Sequence, residues 1–139
     1  MGAAAAKIFV GDPAIVPAVL DFVTEAAVAA GLHPVRLLHL QLAVEEVVVN
    51  ISTYAYRVPP VTVTVSTSVG AGQFSVEITD KGVPFDPCAA PEPDCAADLA
   101  HRPVGGLGIL LVRRMMDEVH YRRDHDQNIL TMVIALNGV

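Results

Sequence analysis

Glu46 and Asn50 stand four residues apart in a stretch free of turn residues, so a helix would carry both side chains on one face. A carboxylate so placed can take a proton from a hydroxyl, and an amide oxygen beside it can ligate a hard cation such as magnesium. Taken alone, the pair also reads as an exposed glutamate and an asparagine that helps to end the helix. Asp80 makes a second candidate. Phe74, Val76 and Ile78 alternate with Ser75, Glu77 and Thr79, and continuing the count places Asp80 on the apolar face. A carboxylate there is costly unless it meets a partner. Gly82 follows it and, lacking a Cβ, lets a ligand or another backbone come close; locally the same residues read as an Asp-Lys-Gly turn. Third, Gly105-Gly106-Leu107-Gly108 leads into a helix whose first N–H groups and dipole can hold phosphate oxygens, although such a cluster also serves as a loop and cap. A Pro-rich loop rather than a strand precedes it, which excludes a Rossmann fingerprint, and no Gly-Lys-Ser/Thr follows as in a Walker loop.

The elements that must position these residues follow from period and punctuation. Lys7 to Val10 reads as a short strand, and Asp12-Pro13 opens a helix that carries Val16, Val19, Leu20, Val23 and Ala27 and ends at Gly31. Pro17 argues that the regular helix begins later than Asp12. A second helix is expected from Pro34 to about Tyr56, despite the β-branched run Val47-Val48-Val49, because no alternation is sustained across it. Val61, Val63 and Val65 then alternate with polar residues, Gly70-Ala71-Gly72 turns the chain, and Phe74 to Asp80 returns. Lys81 to Val104 holds five prolines and no periodicity, the signature of a functional loop. A third helix runs from the glycine cluster to about Asp117. Val119 to Arg123 is a strand, Asp124 to Asn128 a polar turn and Ile129 to Leu136 the last strand. Runs of strands rather than strict alternation with helices predict an α+β two-layer sandwich, a mixed sheet of about five strands with three helices on one face.

Composition sets the outer limits. The chain, read as one domain over residues 1–139, is 53% hydrophobic with 5% aromatics, so an aliphatic core is expected, with apolar surface left over for a partner face. A net charge of -6 argues against nucleic acid. No apolar run reaches the roughly 18 residues a membrane span needs, and no signal segment precedes Lys7, which predicts a cytoplasmic protein with no membrane partner. Cys88 and Cys95 read as free thiols; with His101 and Asp98 they lack the paired short spacings of zinc motifs. His33, His39, His101, His120 and His125 form neither a metal spacing nor a triad.

In order and spacing, Glu46-Val47-Val48-Val49-Asn50, Asp80-Lys81-Gly82-Val83-Pro84-Phe85 and Gly106-Leu107-Gly108-Ile109 resemble the N box and the two glycine boxes of the GHKL (Bergerat-fold) ATPase superfamily. The resemblance spans nearly the whole chain, and its nearest form is the single-domain anti-sigma-factor serine/threonine kinases. It implies ATP or ADP and Mg2+ as ligands. Asp80 would accept the adenine amine, Gly82 would make room for the base and Thr131 would help hold the base's edge. Asn50 would ligate the metal, residues of about 86–104 would form a lid, and Gly106, Leu107 and Gly108 would lie at the phosphates. Glu46 would act as general base toward a hydroxyl of a partner protein. Arg102 in the lid is no better than an ordinary surface arginine on its spacing. The implied partners are a sigma factor and its small antagonist, with a homodimer also suggested by the family; the alternative is a nucleotide-dependent binding module that transfers no phosphate.

Overall fold

The computed structural model describes residues 4–11, 15–52, 61–82 and 106–137. Five strands, β1 (Ala4–Gly11), β2 (Val61–Gly70), β3 (Gln73–Asp80), β4 (Glu118–Asp124) and β5 (Gln127–Ala135), form one sheet in the order β1-β2-β3-β5-β4. Helices α1 (Ile15–Ala29), α2 (Pro34–Asn50) and α3 (Gly106–Met115) complete the α+β sandwich. All four strand pairings are antiparallel, so the expected mixed sheet is instead uniform. Two hairpins account for half of this: Ala71 and Gly72 carry φ of 54° and 74° between β2 and β3, and His125 turns at φ 54° between β4 and β5. In the β2–β3 turn positive φ at both central residues, and in the β4–β5 turn positive φ at the first, match the right-handed strand twist that favours two-residue hairpins.

Period-2 patterning builds the core. On β3, Phe74, Val76, Ile78 and Asp80 are buried while their neighbours are half-buried. In register beside them lie Val69, Thr67, Val65 and Val63 of β2 and Ile134, Met132, Leu130 and Asn128 of β5. Directly opposed residues of antiparallel strands share a face, so these positions form the helix-facing side. Against it pack Val19, Val23 and Ala27 of α1, Leu40, Val44, Val47 and Val48 of α2, and Val112 of α3. Val47 and Val48 are buried and Val49 exposed, so the valine run is helical: burial of one side of a long apolar period outweighs a local preference of a few tenths of a kcal/mol.

The helix ends follow local chemistry. Gly31, at φ 85°, donates to Val28 O at 3.0 Å while Leu32 donates to Ala27 O at 3.1 Å, a Schellman closure with both Leu32 and Ala27 buried. His33 caps α2 by accepting from Val35 N at 3.1 Å, with Pro34 in the first turn. Pro17 lies in the first turn of α1, where its missing N–H costs nothing. The regular part of α2 ends at Asn50 and passes into a wider π-type turn at 51–52; the rest of the stretch expected to Tyr56 lies outside the described residues. At the far end of the helices, Arg36 of α2 binds Asp117 Oδ2 at 2.6 Å and Met115 O at 3.4 Å. Asp117 in turn accepts from Ala135 N at 2.7 Å, so one carboxylate ties α2, the end of α3 and β5 together.

Candidate functional site

One row crosses the helix-facing side at the end of the sheet: Phe9, Val63, Asp80, Asn128 and Arg123, each opposite the next. Alternation forces Asp80 into it, and only 3% of the residue is exposed. Its Oδ1 accepts from Gly82 N at 2.8 Å and from Asn128 Nδ2 at 3.0 Å. The Asp-Lys-Gly turn therefore forms as well, as an Asx-type bond, and Gly82 is buried beneath it. Burial pushes the Asp80 carboxyl above the usual carboxylate range, while the bonds from Asn128 and Gly82 and the charge of Arg123 pull it back.

Asn128 is the partner that the buried carboxylate requires. Its Oδ1 accepts from Tyr121 Oη at 2.6 Å and from Arg123 Nη1 at 3.2 Å. A guanidinium can only donate, so the atom facing it must be the amide oxygen, and the amide nitrogen must face Asp80. Arg123 Nη1 also donates to Gly82 O at 2.9 Å, closing the ring of contacts around the turn. With both donors on Oδ1, the second oxygen of Asp80 is the one left to meet a ligand's donor. Sequence reading missed Asn128, Tyr121 and Arg123, because it placed Asn128 in a turn. The turn is instead His125 and Asp126, and Asn128 joins β5 on the core face.

The helical half is simpler. Asn50 ends α2, 4% exposed, and its Nδ2 lies 3.4 Å from Glu46 Oε1. The four-residue spacing thus brings the two together as expected, at the boundary between the buried stripe of α2 and its exposed side. Spending the amide nitrogen on Glu46 keeps the amide oxygen, the better donor for a hard cation, for another use. Among the described residues no three His, Cys, Asp or Glu side chains gather as a metal site. A neutral amide oxygen as the one protein ligand fits magnesium brought in with phosphates, since that ion keeps several waters and binds few protein groups.

Other expected residues fall differently. Gly106, Leu107 and Gly108 do open α3, at the end where backbone N–H groups point outward. The expected lid, with Arg102, Cys88 and Cys95, lies outside the described residues. Thr131 is a correction: it pairs with Glu77 and His120 on the opposite side of the sheet from Asp80, because it lies one position from the core-facing Leu130 and Met132.

A family model described as the histidine kinase-like ATPase domain matches residues 9–134. The chain belongs to this family. The matched span takes in the whole row from Phe9 to Arg123, all three helices and all of β5 but Ala135. The domain is also similar in fold to the Acinetobacter baumannii histidine kinase AdeS, with a TM-score of 0.54 and 17% identity over 95% of this chain and 68% of the other. No curated protein sequence matches it. Among the described residues no helix is long and apolar enough to cross a membrane.

Proposed function

We propose that this ATPase domain binds Mg-ATP and transfers the γ-phosphate to a serine or threonine hydroxyl of a partner protein. The observation that carries the reading is Asp80: a buried carboxylate, one oxygen held by two N–H donors and the other left as acceptor, matches a ligand that presents an amine, as adenine does. Gly82 admits the base, and Asn50 holds the magnesium ion that neutralises phosphate charge. The start of α3 at Gly106, Leu107 and Gly108 receives its phosphates. Glu46 takes the proton from the attacking hydroxyl as its oxygen bonds to the γ-phosphorus, and the bond to the ADP oxygen breaks. Thr131 has no part in this scheme.

By its resemblance to the anti-sigma-factor kinases, the acceptor is a small antagonist protein and the output is control of a cytoplasmic sigma factor by partner switching, with the domain acting as a homodimer. The first test is thermal. Saturating ADP or ATP with magnesium should raise the melting temperature, about 2.7 kcal/mol of stabilisation at a hundredfold excess over Kd. No shift at millimolar nucleotide would remove the whole reading. Given a nucleotide response and the acceptor, phosphoserine or phosphothreonine should form, and Glu46→Ala should keep nucleotide affinity while losing transfer. A variant that transfers as fast as the parent refutes the base; a parent that binds ATP and every candidate partner yet never transfers leaves the binding-module function.

A further inference from the structure

Helix α2 carries two apolar stripes, and the fold uses one. Leu40, Val44, Val47 and Val48 go into the core. Val35, Leu38, Leu42 and Val49 face outward, each between 40% and 55% exposed, and Leu111 of α3 is 48% exposed beside them. With Glu45 included, the outer positions 35, 38, 42, 45 and 49 follow one another at alternating spacings of three and four. That is the seam of a helix built to pair with another helix, sustained for about 21 Å along the axis. Five of the eight large hydrophobic residues exposed on the described surface belong to this one face. Scattered exposed apolar residues are ordinary; a continuous stripe of them marks a contact surface.

The stripe borders a groove of about 500 Å³ between α2 and α3, lined by Leu42, Glu45, Glu46, Val49, Leu111 and Met115. Its charged lining is wholly acidic, and the chain as a whole carries -6. A second copy of the chain would bring the same carboxylates and the same net charge to the interface. A helix with basic residues beside its apolar seam meets both the shape and the charge.

We propose that this face of α2 and α3 docks an amphipathic helix of a partner protein, its apolar seam in the groove and a lysine or arginine against Glu45. A charged residue at a seam position selects register and partner at some cost in affinity, which suits a reversible contact. Glu46, the proposed general base, also lines the groove, but peptide binding requires no nucleotide, so the surface is tested separately from the kinase reading.

The test uses the full chain and two fluorescent helical peptides of about 18 residues, both with leucine at the seam positions, one with lysine and the other with glutamate elsewhere. The lysine peptide should bind at least about tenfold more tightly than the glutamate peptide, and Leu42→Glu should weaken it by about tenfold or more. Glu45→Lys should reverse the preference between peptides. Ile8→Ser with Val10→Ser, exposed on β1, should change neither. Unchanged melting temperature and unchanged ADP response in Leu42→Glu keep the result from being one of misfolding. Equal binding by Leu42→Glu and the parent overturns the proposal, since the peptide is then attracted only to an acidic protein. A concentration-dependent dimer that Leu42→Glu converts to monomer in sedimentation also overturns it, by making a second copy the occupant. Peptide binding without any nucleotide response would leave this surface intact and the proposed function refuted.

Discussion

Asp80→Asn separates what the buried carboxylate does for binding from what it does to stability. The substitution keeps the Oδ1 acceptor, so the bonds from Gly82 at 2.8 Å and Asn128 at 3.0 Å survive with little change of shape. What disappears is the charge and the second acceptor oxygen, replaced by an N–H2 group. Toward an adenine amine this sets donor against donor and removes a charge-assisted bond of about 1.5–3 kcal/mol. Nucleotide affinity should therefore fall by roughly ten- to a hundredfold or more. Stability should move the other way. Burial raises the Asp80 pKa in the folded state, so the folded chain holds the proton more tightly than the unfolded chain. The penalty for ionising it is absent below the unfolded pKa, grows as pH rises from there toward the raised folded value, and levels off above it. The asparagine never incurs it. At pH 7 the variant should be more stable than the parent and melt at a higher temperature, and the difference should disappear as pH falls below the unfolded carboxylate pKa. Urea denaturation at several pH values, with ADP titration by calorimetry at pH 7, reads both effects. Wild-type ADP affinity in the variant would refute the role in base recognition. A variant destabilised by several kcal/mol at pH 7 would refute the account of Asp80 as a carboxylate whose charge is disfavoured by burial.

Three smaller changes probe the supports. Tyr121→Phe removes one of the two donors on Asn128 Oδ1, so the amide is held less firmly and the Asp80 carboxyl should titrate at higher pH; carbon-13 titration should show this with an ADP affinity about three- to tenfold lower. Ala71→Asn puts a residue that tolerates left-handed backbone at φ 54° of the β2–β3 turn, and calorimetry should find a gain of about 0.5–1 kcal/mol with nucleotide binding untouched. Arg36→Ala opens the tie between α2 and the end of α3. Its side chain is 12% exposed and that of Asp117 45%, so the pair falls between surface and buried cases and the loss should be about 2 kcal/mol in denaturant unfolding.

Much of the fold was legible because its signals are local and repeated. Valine and serine or threonine alternate along β2, and a period of three and four runs through α1 and α2, so type and face of these elements follow from short windows. Even Asp80 was legible as a position, since counting by two from Phe74 must end on the core side. Pairing direction was not. Whether two strands run parallel or antiparallel depends on which edges meet across the whole sheet, and no window of sequence carries β1 to β2 or β3 to β5. The outward stripe of α2 escaped for a different reason: a helix with apolar residues on two sides has one period but two faces, and sequence does not say which is covered.

The site shows where the limit lies. A carboxylate at a core position states a demand for donors, and that demand was readable from Asp80 alone. The supplier was not, because it is fixed by register between strands 48 residues apart. Assigning 124–128 to a turn removed Asn128 from the strand, while Thr131 entered only through the family resemblance. A shift of an odd number of residues is enough to put a side chain on the wrong side of the sheet, and 128 to 131 is such a shift. Once the turn tightens to His125 and Asp126, Asn128 falls opposite Asp80, and Tyr121 and Arg123 of the same hairpin come to hold its oxygen. The polar ring around Asp80 is thus a consequence of one turn length. Lengthening that turn by a single inserted residue, if β5 kept its register with β3, would leave β4 to supply its other face, so Glu118, His120 and Arg122 would replace Tyr121 and Arg123 on the core side. Such an insertion should cost nucleotide binding through loss of the Asn128 support, even though it touches no residue that meets the ligand.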